Sequence, residues 1–118
     1  MTLAFKHPEV FAAVGGHSLV VNIGQSDDPL GLAPTANDLD QLRVSLDVGD
    51  ADALRAGTVW LAEVLDARGL AVTFAVHPGR HDRVYWRSQT GAYLQFYLDA
   101  IAGLSLTRLP GAECYSRC

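Results

Sequence analysis

At 118 residues the chain has the length of one domain, and 49% hydrophobic against 19% charged residues is a globular balance that excludes a disordered chain. A net charge of -4, with nine Lys and Arg scattered and no basic cluster, argues against a nucleic-acid surface. No apolar run approaches the roughly 18–20 residues that cross a bilayer, so no membrane span is expected. The first residues show no basic start before a long apolar stretch, and the cytoplasm is the expected compartment.

Taken in chain order, Met1 to His7 reads as the last turns of a helix stopped by Pro8, a helix entered without a cap or a preceding strand. Val10 to Val14 reads as a buried strand ending at Gly15-Gly16, with His17 and Ser18 at its carboxyl end. Leu19 to Asp40 is a long connection broken by Gly24, Pro29, Gly31 and Pro34, with a turn of helix expected within Ala36 to Gln41. Arg43 to Val48 alternates as a second strand and stops at Gly49. Arg55 to Arg68 is the clearest helix, with an apolar face from Val59, Leu61, Ala62, Val64 and Leu65 and a closing Gly69. Leu70 to His77 is the third strand, and Pro78-Gly79 turns the chain to present His81. Gln89 to Leu104 carries Tyr93, Leu94, Phe96, Tyr97 and Ile101 at helical spacing, and residues 105–118 read as a loose tail containing both cysteines, Cys114 and Cys118.

Strands separated by helices, with near-continuous apolar character, predict an α/β fold on a parallel sheet of about three strands. Open sheets of this kind do chemistry beyond the carboxyl ends of their strands, where His81 stands. A histidine there can take and give a proton near neutral pH. Asp50 and Asp52 follow the second strand, within reach of a histidine after its parallel neighbour, and either is also suited to capping the next helix. An Asp bonded to Nδ1 of such a histidine would fix its tautomer and stabilise the imidazolium. His17 is expected to line a pocket at the end of the first strand. Tyr85 and Trp86 suit either a wall of the site or an anchor for the last helix. His77, His81 and Asp82 lack the further ligands a zinc site needs, so no metal and no cofactor are expected.

The segment Phe5-Lys6-His7-Pro8-Glu9-Val10-Phe11-Ala12-Ala13-Val14-Gly15-Gly16-His17-Ser18 resembles the stretch after the nucleophile elbow in esterases of the esterase D and enterochelin-esterase type. Asp47 to Leu54 resembles their acid loop, and Pro78-Gly79-Arg80-His81-Asp82 with the Tyr85-Trp86 pair after it resembles their histidine loop. The resemblance covers about residues 1 to 100. It implies a partial α/β-hydrolase fold in which Asp52 is the triad acid and His81 the base; His17, by its place at the end of the first strand, and Trp86, by its place after the histidine loop, are the expected substrate contacts. The order acid then base matches the fold's Ser, Asp, His succession.

The family's serine stands in G-x-S-x-G on a strand-to-helix turn, and no serine of this sequence does; Ser18, in Gly16-His17-Ser18-Leu19, comes nearest. Residues 1–104 are therefore expected to be the carboxyl-terminal half of an α/β-hydrolase domain with the nucleophile-bearing half absent. They would supply the acid and base of a serine esterase without appreciable activity alone. A small-molecule ester is the expected substrate once an upstream half completes the site. The alternative is a non-catalytic, degenerate hydrolase module that binds a partner or self-associates through the exposed edge of its first strand.

Overall fold

The computed structural model describes residues 1–107. Four helices and three strands alternate: α1 (Thr2–Lys6), β1 (Ala13–His17), α2 (Pro29–Leu32), β2 (Arg43–Gly49), α3 (Arg55–Ala67), β3 (Val72–His77) and α4 (Arg83–Thr107), with a short 3-10 turn at Leu39–Gln41. All three strands are parallel and lie in the order β1-β2-β3, so β2 is central and the carboxyl ends sit side by side. The architecture is the α/β sheet that the helix-strand alternation predicts.

The central strand decides how the two faces are covered. In β2 the pleat sends Val44, Leu46 and Val48 to one side, where all three are buried. There Val44 and Leu46 join Phe5 of α1, Leu30 of α2, and Leu61, Ala62 and Leu65 of α3 in one apolar core. Leu61 and Leu65 are one helical turn apart, which is why α3 buries a stripe and leaves Trp60 exposed. Arg43 and Asp47, on the opposite face, meet α4 instead: Arg43 lies against the Phe96 ring, and Asp47 accepts hydrogen bonds from Tyr85 and Tyr93.

The long connection is tied down at two points. Asp28 caps α2, its carboxylate accepting from the Leu30 and Asn22 amides at 3.0 and 2.8 Å. Arg68, at the end of α3, donates to the carbonyls of Ala33 and Ala36 at 2.5 and 2.7 Å. The turn of helix expected near Ala36 to Gln41 is the 3-10 turn.

Two elements, the first strand and the last helix, have bounds three or more residues from the sequence reading, and β3 starts two residues later than read. The first strand runs over Ala13–His17, not Val10 to Val14. Val10 and Phe11 belong to turns after Pro8 and are exposed. The glycines expected to end the strand are inside it: α4 crosses so closely that a Cβ on Gly15 would lie 2.3 Å from the Tyr97 hydroxyl, and one on Gly16 would lie 2.8 Å from the Leu46 side chain. The last helix starts at Arg83, six residues before Gln89, because the Asp82 carboxylate caps it by accepting from the Val84 and Tyr85 amides. It also runs past Leu104 to Thr107; residues 108–118, with Cys114 and Cys118, lie outside the described residues.

Candidate active site

The carboxyl ends of the strands carry the titratable side chains. After β2 the chain turns through Asp50 and Asp52, and after β3 through Pro78 and Gly79 to His81. The Asp50 amide donates to the His77 carbonyl, and the Ala51 amide to the Gly79 carbonyl, so the two loops are joined along their backbones. Gly79 has φ 152°, a region L side chains rarely adopt, and a Cβ there would fall 2.6 Å from the Tyr85 ring.

His81 Nδ1 donates to Asp52 Oδ2 at 3.1 Å. The acid is fully buried (0% exposed) while the imidazole is 48% exposed, so the ring is anchored on its inner nitrogen and open on its outer one. Burial pushes the Asp52 pKa up, but the Leu54 amide, the Ser18 hydroxyl and His81 outweigh it and hold the carboxyl below its ordinary value. Of these, the Leu54 amide donates to Oδ1 at 2.8 Å, which also makes Asp52 a turn-forming residue at the start of α3. The Ser18 hydroxyl acts from the side without reaching hydrogen-bond geometry. Trp86 stands edge-on to the His81 ring, centroids 5.0 Å apart at 82°.

Asp50, which the residue pattern alone leaves equal to Asp52, has another partner. Its Oδ1 accepts from the Gly79 amide at 2.9 Å. One acid thus meets the imidazole, and the other holds the turn that presents it.

His17 is elsewhere in the arrangement. Its Nδ1 donates to Asp47 Oδ1 at 2.5 Å, the ring stacks on Tyr93 at 3.6 Å, and Nε2 is buried against Gly15. Asp47 Oδ2 accepts from the Tyr85 and Tyr93 hydroxyls at 2.6 and 2.8 Å. Burial raises the Asp47 pKa, but hydrogen bonds from His17, Tyr85 and Tyr93 and the charge of His17 more than offset it, and the group titrates below its ordinary value. Burial first, then the bond to Asp47 and its charge, push both tyrosines well above their ordinary range. Ser18, directly after His17, takes a left-handed turn, φ 57°, held by its amide on the Asp47 carbonyl.

The sequence singles out Asp52, His81, His17 and Trp86. Three of these form one cluster, Asp52 with His81 and His81 with Trp86, while His17 bonds to a different acid. Asp47 is a site residue that the sequence reading misses. Its signal is an acid between the apolar Leu46 and Val48, near the carboxyl end of an alternating strand.

The family model for "Putative esterase" matches residues 1–97. A solved ferulic acid esterase is similar over 84% of this chain and 45% of that one, with a TM-score of 0.78 and 20% sequence identity. At that identity the likeness speaks to the fold, and the chain spans less than half the length of that protein. No curated protein matches the sequence.

Proposed function

The chain belongs to this esterase family, and on that premise we propose that Asp52 and His81 are the acid and base of a serine-type carboxylic-ester hydrolase. The observation that carries the reading is the bond between a buried carboxylate and the inner nitrogen of a half-exposed imidazole. Asp52 fixes the tautomer that leaves His81 Nε2 unprotonated and outward, able to take a proton from a serine hydroxyl. The charge of Asp52 then stabilises the imidazolium, which returns its proton to the leaving alcohol. Water, deprotonated by the same nitrogen, clears the acyl-enzyme. Trp86, edge-on to the imidazole, is the wall against which an acyl or alcohol group would lie.

In this reading the nucleophile is a serine on a segment other than residues 1–118, since no serine here stands in G-x-S-x-G. The solved ferulic acid esterase motivates a hydroxycinnamate ester as the first substrate to try. His17, with its one hydrogen bond, to Asp47, and its stacking on Tyr93 inside the protein, supports the fold around the site rather than touching the ester.

The test joins this chain to the G-x-S-x-G half of a family esterase and follows p-nitrophenyl acetate and methyl ferulate. Turnover is expected, with Asp52→Asn lowering kcat ~10⁴-fold and His81→Ala lowering it ~10⁶-fold. An Asp52→Asn loss below tenfold would remove Asp52 from the machinery. The chain by itself is expected to hydrolyse neither ester.

A second reading has its own support. No strand among the described residues covers the outer side of β1, whose neighbour on the inner side is β2. An open edge is a template for another strand. On that ground we also propose that the isolated chain self-associates through β1.

A further inference from the structure

We propose that Asp47 is a positioning residue for His81, acting through a hydroxyl latch on the start of α4. The idea rests on the reading of His81 as the base, and it concerns what keeps that base in place.

The loop between β3 and α4 is held at three points by three carboxylates from the end of β2. Asp50 takes the Gly79 amide at 2.9 Å, Asp52 takes the His81 ring at 3.1 Å, and Asp47 takes the Tyr85 hydroxyl at 2.6 Å. The first fixes the chain entering the loop and the third fixes it leaving. Tyr85 is joined back to the histidine through Asp82, whose Oδ1 accepts from the Tyr85 and Val84 amides at 3.0 and 2.9 Å. Because Asp82 directly follows His81, a shift of the first turn of α4 moves the backbone that carries the imidazole.

Apolar packing is poorly placed to hold this end of α4. The sheet face beneath it presents Arg43, Asp47 and Gly15, and among the helix residues whose burial is described only Tyr85 and Ala100 are deeply buried. Hydroxyl-to-carboxylate bonds are short and roughly twice as strong as neutral ones. Asp47 receives two, one from the first turn of α4 and one, at 2.8 Å, from Tyr93 two turns later. Its other oxygen is taken by His17 of β1 at 2.5 Å, so one buried acid ties two strands and the helix. A carboxylate meets this geometry because it accepts at both oxygens; an amide would turn a donor toward one of its partners.

The experiment reads the ring nitrogens of His81 by 15N NMR in the 118-residue chain, which needs no turnover. It therefore fails or stands apart from the esterase reading. Wild type is expected to hold the Nδ1–H tautomer selected by Asp52. The Tyr85→Phe/Tyr93→Phe double variant keeps the Asp47 charge and cuts the latch. It is expected to shift the tautomer ratio toward Nε2–H roughly fivefold, the weight of one hydrogen bond, and Asp47→Asn is expected to do the same. Leu65→Val, a cut in the core on α3, is the control for general loosening and is expected to leave the ratio unchanged. If the tyrosine variant leaves His81 as in wild type, the latch is overturned, whatever Asp47→Asn does, since the remaining effect would be through-space charge. If Leu65→Val moves the ratio equally, the latch is overturned too. Should Asp47→Asn fail to fold, Tyr85→Phe alone decides in the same way.

Discussion

At the scale of single residues, the site is a set of carboxylates with different tasks, and their protonation sets the pH limits of the fold. The Asp47 and Asp52 pKa values are lowered on folding. A lowered acid contributes stability that is complete above its unfolded pKa, about 3.9 for Asp. That contribution is lost as pH falls through the still lower folded value. Urea midpoints are therefore expected to hold steady down to about pH 5 and to fall below about pH 4, and Asp47→Asn should flatten the fall. At the other extreme, Tyr85 and Tyr93 are raised by burial and by Asp47. A raised phenol contributes stability that is complete below its unfolded pKa, about 10, and lost as pH rises toward the folded value. Tyrosinate absorbance for these two side chains should then appear together with loss of the circular dichroism signal, not before it.

At the scale of elements, the turn from β3 into α4 is where small changes matter most. Gly79 sits at φ 152° with Tyr85 packed against its Cα. Gly79→Ala combines backbone strain with a contact that must shift, and a loss of about 1–3 kcal/mol is expected. Asp82→Ala removes the cap of α4 and should lower stability by about 1 kcal/mol in a urea titration. Both changes lie beside His81, so both should also loosen the imidazole. How much of this is legible in the sequence differs from one element to the next. Helix α3 can be read to within a residue because its apolar stripe and closing Arg68-Gly69 are local signals. The start of α4 cannot, because Asp82 reads equally as a loop acid beside His81. The first strand is displaced by three residues because glycines ordinarily end strands, and only tertiary contacts explain why two lie inside this one, α4 crossing Gly15 and the Leu46 and Met1 side chains pressing on Gly16.

At the scale of the molecule, the sheet has two open edges among the described residues, and Phe74 and Val76 are exposed on β3. The outer face of α4 adds Leu94 and Leu98, each 59% exposed and one turn apart. Surfaces of this kind favour association. Size-exclusion chromatography is expected to give an apparent mass above 12.7 kDa that rises with concentration. The Arg43 amide donates to the Ala12 carbonyl, and the Ser18 amide to the Asp47 carbonyl, so the even-numbered backbone groups of β1 face β2. The N–H of Ala13 therefore points to the open side. Ala13→Pro should reduce the association without touching the β1–β2 ladder, and a monomer at every concentration would remove the edge as a binding surface.

Apart from the short helix α2, which lies in a stretch that reads as a long connection, the sequence by itself determined the kinds of element, their order, the parallel sheet and the presence of an acid and then a histidine after successive strands. These follow from turn chemistry and from periods of two and 3.6 residues, which act over a few positions. The tertiary structure decided which acid meets which partner. Asp47, Asp50 and Asp52 lie within six residues of one another, yet one takes His17 and two tyrosines, one a backbone amide and one His81. The register of β1 and β3 against β2 and the placement of α4 bring together groups some 30 to 46 residues apart. No local pattern carries that information, because a partner so distant in sequence is selected by the packing of the whole fold.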